Sequence, residues 1–160
     1  MRPGDVVIIN TGWHKKYEDN DEYFAYCPGL VPSAADWLIE KKIKVVGHDT
    51  QANDHPLATA IGPHRNGPLL PPLAKEYLEW SGGHTWDQDF PLWEPVHRKL
   101  FSNGIMGIEN VGGDLDAVTG KRVTFAFFPW NWDRGDGCII RLVAITDPKG
   151  AYRIEPGGTY

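Results

Sequence analysis

The stretch His97-Arg98-Lys99-Leu100-Phe101-Ser102-Asn103-Gly104-Ile105-Met106-Gly107-Ile108-Glu109 holds the residue types best suited to chemistry. A histidine on a short helical run is followed by a glycine stop, an apolar strand and a glutamate. The helical rise from His97 to Asn103 is roughly 9 Å, and the extended rise from Ile105 to Glu109 is roughly 13 Å. If the chain reverses at Gly104, imidazole and carboxylate return to about the same level. A neutral imidazole beside an ionised carboxylate suits a divalent metal. It makes half a site, because a catalytic zinc takes three protein ligands and an open position. Spacing alone equally allows a helix-surface histidine and a glutamate that closes a strand.

A second polar cluster is His48-Asp49 with Asp54-His55. Alternation places His48 and Asp49 on opposite faces of a continuing strand, so one can face a pocket while the other caps a turn. Asp49-Thr50 and Asn53-Asp54 also read as Asx turns after a strand. His64-Arg65 and His84 fall in a long loop, where a substrate carboxylate could meet them. Cys27 has no local base to activate it as a nucleophile. H-E-x-x-H, C-x-x-C, P-loop and G-x-S-x-G motifs do not occur.

The elements that must position these residues follow from the apolar pattern. Asp5 to Asn10 reads as a buried strand, closed by Thr11-Gly12. Pro32 to Lys42 is the clearest helix, with Ala34, Ala35, Trp37 and Leu38 as an inner stripe, Ser33 as N-cap and Pro32 as start signal. Ile43 to Gly47 follows as a strand, giving a βαβ-like unit with polar residues where the second strand ends. Residues 51 to 93 are Pro-rich and aromatic, an ordered covering loop broken by a helix near Leu73 to Trp80. Glu94 to Asn103 is a second helix and Ile105 to Glu109 a short strand. Val123–Phe128 and Cys138–Ile145 are strands joined by a loop, Pro129 to Gly137, longer than most hairpin loops.

Length and composition bound the rest. The 160 residues suffice for one domain with a core, and 41% apolar content marks a globular chain. A net charge of −5 with no basic stripe argues against nucleic acid as partner. The absence of about 18 consecutive apolar residues argues against a membrane span. The N-terminus lacks the apolar region of a secretory signal. With two cysteines in dissimilar contexts, a reducing cytoplasm is the expected compartment. The unusual load is aromatic and turn-forming: seven Trp, 18 Gly and 13 Pro. Trp13, Trp130 and Trp132 could wall a pocket for a planar ligand, or Trp130 and Trp132 could form a dimer contact.

Several stretches together resemble the metal-dependent cyclase superfamily, which includes bacterial kynurenine formamidase and isatin hydrolase. Gly4 to Trp13 is similar to the family's G-D-x-V-L-I-x-T-G-W strand. Pro28-Gly29-Leu30, followed by Ala34-Ala35-Asp36-Trp37-Leu38, is similar to its P-G-L and helix. Val46-Gly47-His48-Asp49-Thr50 resembles its V-G-I-D-T strand end, with a histidine where an apolar residue is usual. His97 to Asn110 resembles H-x-x-L-L-x-x-G-I-x-I-I-E-N, and Leu115-Asp116 matches the L-D that follows.

This resemblance covers nearly the whole chain and corresponds to the C-terminal two-thirds of the family fold. It implies an α/β class with a swivelling β/β/α cyclase-like fold, as a single domain over residues 1–160. It implies a hydrolase that cleaves a formamide, lactam or lactone-type bond with metal-activated water, with His97 and Glu109 as metal ligands. Zinc is the first choice of metal, with manganese or magnesium as alternatives. A small molecule is the implied substrate, with Trp13, His48, Trp130 and Trp132 as candidate contacts.

The departure lies upstream. The family's other ligands and its acid/base histidine belong to H-x-G-T-H-x-D-x-P-x-H, and none of the six histidines here sits in that pattern. The sequence reads as the family fold without its N-terminal part, so no catalytic acid/base residue is assigned and weak or no metal binding by this chain alone is expected. A homo-oligomer, or a complex with a chain that supplies the missing motif, is expected from the sheet edges left open. The alternative is a non-catalytic small-molecule-binding or assembly subunit that keeps the fold.

Overall fold

The computed structural model describes residues 1–59 and 70–147. They pack as two units, the first Met1–Gly113 and the second beginning at Asp114. The first unit contains β1 (Val6–Ile9), α1 (Asp21–Ala25), α2 (Pro32–Glu40), β2 (Val45–His48), α3 (Leu70–Trp80), α4 (Trp86–Asp89), α5 (Pro95–Ser102) and β3 (Met106–Ile108). Short 3-10 turns sit at Trp13–Lys16 and Pro56–Ala58. The second unit carries α6 (Leu115–Val118), β4 (Thr124–Ala126) and β5 (Val143–Ile145).

β1, β2 and β3 form a parallel sheet in sequence order, with Val6 opposite Val45 and Val45 opposite Met106. β2 is buried along its whole length, which is why it reads as a continuous apolar run rather than an alternating one. A Cβ at Gly47 would lie 2.4 Å from Ile8 Cδ1, so a side chain there would push the Ile8 methyl aside.

α2 and α5 cover one face. Ala35, Leu38, Val96 and Leu100 meet Ile43, Val46 and Ile105 in the main core, with Val7 and Ile9 packed against it. Burying side chains of this size contributes about 1.5–3 kcal/mol each. The expected inner stripe of α2 needs one correction. Trp37 is 46% exposed, because it stands two residues from Ala35 and so points away from the face set by Ala35, Leu38 and Ile39. Its ring lies 5.9 Å from the Lys41 ammonium. The N-cap of α2 is Val31 rather than Ser33, with Pro32 in the first turn as expected.

The long segment before α5 is ordered in its described parts. Ala25, Leu57 and Leu73 form a second cluster with Tyr77, Trp86 and Phe90, and the His55 ring stacks on Phe90 with centroids 4.5 Å apart. In the second unit, β4 and β5 pair antiparallel through Thr124–Ile145, Phe125–Ala144 and Ala126–Val143. The hairpin is the expected one, with shorter strands and a longer connection.

Candidate functional site

All three parallel strands run toward the same edge of the sheet, and β2 and β3 end there in His48-Asp49 and Glu109. In open parallel sheets ligands bind outside the carboxyl ends of the strands. The turn that returns α5 to β3 is made at Gly104, with φ of 71°, a backbone state glycine adopts without strain. The reversal brings His97 Nε2 to 2.7 Å from Glu109 Oε1.

The other ring nitrogen is held from a third direction. Asp54, fully buried, lies 2.6 Å through Oδ2 from His97 Nδ1. The same carboxylate accepts the backbone N–H groups of Val96 and His97, each at 2.9 Å. Asp54 therefore caps α5 from forty-odd residues away. Glu94, at the N-cap position itself, has φ of 46° and makes no side-chain cap. A carboxylate at a helix N-terminus is favoured by the unpaired N–H groups and the helix dipole. Burial opposes charge on His97, but the two flanking carboxylates outweigh it and lift the imidazole pKa to about 10. Phe101 packs edge-on against the ring at 5.3 Å.

Glu109 is positioned by Asn53, whose backbone N–H and Nδ2 donate to Oε1 at 2.9 and 3.2 Å. Among the described residues the other oxygen, Oε2, accepts no hydrogen bond. Behind it, Asn110 has φ of 54° and accepts through Oδ1 from Tyr23 Oη at 2.7 Å.

These groups fit a divalent cation as part of a ligand shell. The Asp54–His97 contact is the carboxylate–imidazole pairing that fixes a ring so that its far nitrogen faces a metal. Glu109 adds a hard oxygen beside that nitrogen. Nitrogen and carboxylate oxygen make a donor set of the right chemistry but too few donors. Among the described residues no group of three or more His, Cys, Asp or Glu is arranged to hold a metal ion. Asp54 does not count as a third donor here, since it engages the opposite side of the ring.

The remaining sequence candidates scatter. His48 is 1% exposed and lies under the site, with Nδ1 2.7 Å from Thr50 Oγ1. Burial lowers its pKa, so the ring is neutral in the core. Trp13 is half-buried and donates its indole N–H to the Tyr23 carbonyl at 3.0 Å. Trp130 and Trp132 belong to the second unit, 66% and 53% exposed, with ring centroids 5.0 Å apart. His84 is on the surface beside Asp89. His64 and Arg65 lie outside the described residues. Cys27 is buried, and desolvation pushes its thiol up to about 11, the opposite of activation.

Asp49 is no Asx turn. Its Oδ1 accepts from Thr11 N and Oγ1 at 3.0 and 2.6 Å, and its Oδ2 lies 2.9 Å from His14 Nδ1. It thereby ties the loop after β1 to the end of β2. Asp54 stood in the second polar cluster and Asn53 only in a candidate Asx turn; what sequence reasoning missed is their pairing with His97 and Glu109. The usable signal is Asp54 itself, an acid that His55 leaves free by capping the short turn at Pro56–Ala58.

Residues 1–55 match the family model Cyclase, described as "Putative cyclase". Over 152 residues the chain is 26% identical to isatin hydrolase of Roseibium aggregatum, covering 91% of this chain and 46% of that protein. The crystal structure of an isatin hydrolase bound to the product analogue thioisatinate shares the fold, with a TM-score of 0.63 at 23% identity over 90% of this chain and 46% of that one. The family model thus matches the first third of the chain, and the likeness to isatin hydrolase extends over most of it. The chain spans a little under half of that protein's length.

Proposed function

We propose that this chain carries part of the catalytic centre of a metal-dependent hydrolase that opens a C–N bond next to a carbonyl, as in a formamide or a lactam. One observation carries the reading. His97 Nε2 and Glu109 Oε1 meet at 2.7 Å at the carboxyl edge of the sheet, with Asp54 locking the far side of the ring at 2.6 Å. The kinship with isatin hydrolase supports amide-type substrates.

In this reading His97 Nε2 and Glu109 Oε2 would hold the cation, zinc first and manganese or magnesium as alternatives. A cation so held supplies a Lewis acid that polarises a carbonyl and makes water acidic enough to attack. Asp54 keeps a proton on Nδ1 and thereby presents Nε2 outward. Asn53 keeps Glu109 from rotating away. The acid/base group and the remaining ligands come from a segment bearing H-x-G-T-H-x-D-x-P-x-H, which these 160 residues do not contain.

Co-expression with a chain that carries that motif tests this. The expected complex contains stoichiometric metal and hydrolyses N-formyl or lactam substrates, and His97→Ala removes both properties. A complex that forms without metal would sink the reading. A second reading has its own support in the two-donor set: the chain is a non-catalytic small-molecule-binding or assembly subunit. A tight, metal-independent ligand complex unaffected by His97→Ala would favour it.

A further inference from the structure

The stretch Pro28-Gly29-Leu30 touches none of the reacting groups, yet its glycine sits where no other residue fits. Gly29 is not among the glycines with positive φ, so no left-handed turn calls for it. Space does. A Cβ on Gly29 would lie 2.2 Å from His55 N, 2.3 Å from His55 Cα and 2.5 Å from the Asp54 carbonyl carbon. All three are backbone atoms, so no side-chain rotation could make room. The two segments meet as neighbouring strands do: Leu30 bridges Asp54 in parallel fashion, and the Leu30 N–H donates to the Asn53 carbonyl at 2.8 Å.

The backbone pressed against Gly29 is the one that holds the site. Asn53 donates through its N–H and Nδ2 to Glu109 Oε1 at 2.9 and 3.2 Å. Asp54 accepts from the Val96 N–H at 2.9 Å and stands 2.6 Å from His97 Nδ1. His55 stacks on Phe90 on the far side. These residues are consecutive, so one displacement reaches every contact. An ordinary non-bonded contact needs about 3.5 Å, so a methyl group at position 29 would drive the two backbones apart by about 1 Å or more. Hydrogen bonds are lost over a change of that size.

We propose that Gly29 is a positioning residue for the His97–Glu109 pair. Lacking a side chain, it lets residues 29–30 seat residues 53–55 at the depth where Asn53 reaches Glu109 and Asp54 reaches His97. One remote contact thereby sets both members of the pair. The inference goes beyond the hydrolase reading, because it concerns how the two side chains are held and requires no bound cation.

The test reads the full chain, free of metal, by NMR with isotope-labelled histidine. The His97 Nδ1–H proton, held against a carboxylate in a short charge-assisted bond, should resonate far downfield, and His97→Gln assigns it. Gly29→Ala should shift that signal upfield or abolish it, and should strip hydrogen-exchange protection from the Asn53, Val96 and His97 amides. Leu38→Ala, a core truncation away from this segment, should lower the melting temperature and leave the signal in place. If Gly29→Ala does not fold, native-state hydrogen exchange of the parent decides. The Leu30, Asn53, Val96 and His97 amides should then exchange through one shared opening. A folded Gly29→Ala chain with the parent's His97 signal overturns the inference. So does an equal shift in Leu38→Ala, or a Leu30 amide that opens while the other three stay protected. None of these readouts uses a metal or a substrate, so failure here and failure of the hydrolase reading are separate results.

Discussion

At the scale of single residues, Asp54 does three jobs with one carboxylate. It accepts from Val96 N, from His97 N and from the His97 ring. Replacement by alanine removes a cap and leaves a buried imidazole facing one acid instead of two. Losing one partner of a buried charge pair costs about 3–5 kcal/mol, and loss of a cap alone about 1 kcal/mol. Asp54→Ala should therefore lower urea-unfolding stability by about 3 kcal/mol, with α5 the most affected element by amide exchange. Asp49 gives the pH dependence. Burial raises its pKa, but bonds from Thr11 and His14 outweigh this and hold it at about 2. A depressed acid stabilises the fold above its unfolded pKa of about 3.9, and that contribution is lost as pH falls through the folded value. The acid unfolding limb should weaken in Asp49→Asn, which should be less stable than the parent at pH 6 and converge with it near pH 2.

At the scale of elements, the α2–α5 layer sets His97 against the sheet, and two kinds of contact join it. Leu100 is completely buried in the core it shares with Ala35 and Leu38. Leu100→Ala should cost about 2–5 kcal/mol in chemical denaturation. Lys99 also bridges the helices, with Nζ 2.6 Å from Asp36 Oδ1, but its side chain is 40% exposed and that of Asp36 59%. An exposed ion pair is worth under about 1 kcal/mol, so Lys99→Ala should shift the midpoint only slightly. If Lys99→Ala proved the worse of the two, the layer would be held by charge rather than burial. Gly104 belongs to this scale too, since its left-handed turn decides whether helix and strand return to the same end.

At the scale of the whole molecule, β1 and β3 are the outer strands of the three-stranded parallel sheet formed by the described residues. β1 is half-buried along its length. Parallel sheets are ordinarily covered on both faces and continued by further strands, and open edges pair with other chains. The chain should elute as a homo-oligomer, or gain several degrees of melting temperature with a chain bearing the missing motif. A monomer indifferent to such a partner in light scattering and thermal melts would remove the need for one. No described helix is long and apolar enough to cross a membrane.

Much of the frame was already legible along the chain. The apolar run of β2, the helix stop at Gly104, and the return of His97 toward Glu109 are consequences of local rise, period and turn chemistry. Those rules act within a dozen residues, so they reach from His97 to Glu109 and no further. The contacts with Asp54, Asn53 and Asp49 span 35 to 56 residues. They exist only because strand order stacks three chain segments at one edge. Trp37 shows the same limit: its type favours the core, and only the direction of its helix against the sheet sends it to solvent. Local order along the chain determined that His97 and Glu109 return to one end of the sheet. Tertiary structure decided which nitrogen is held, which oxygen is pinned and which atoms remain to face outward, because hydrogen-bond geometry between distant segments has no periodicity to read.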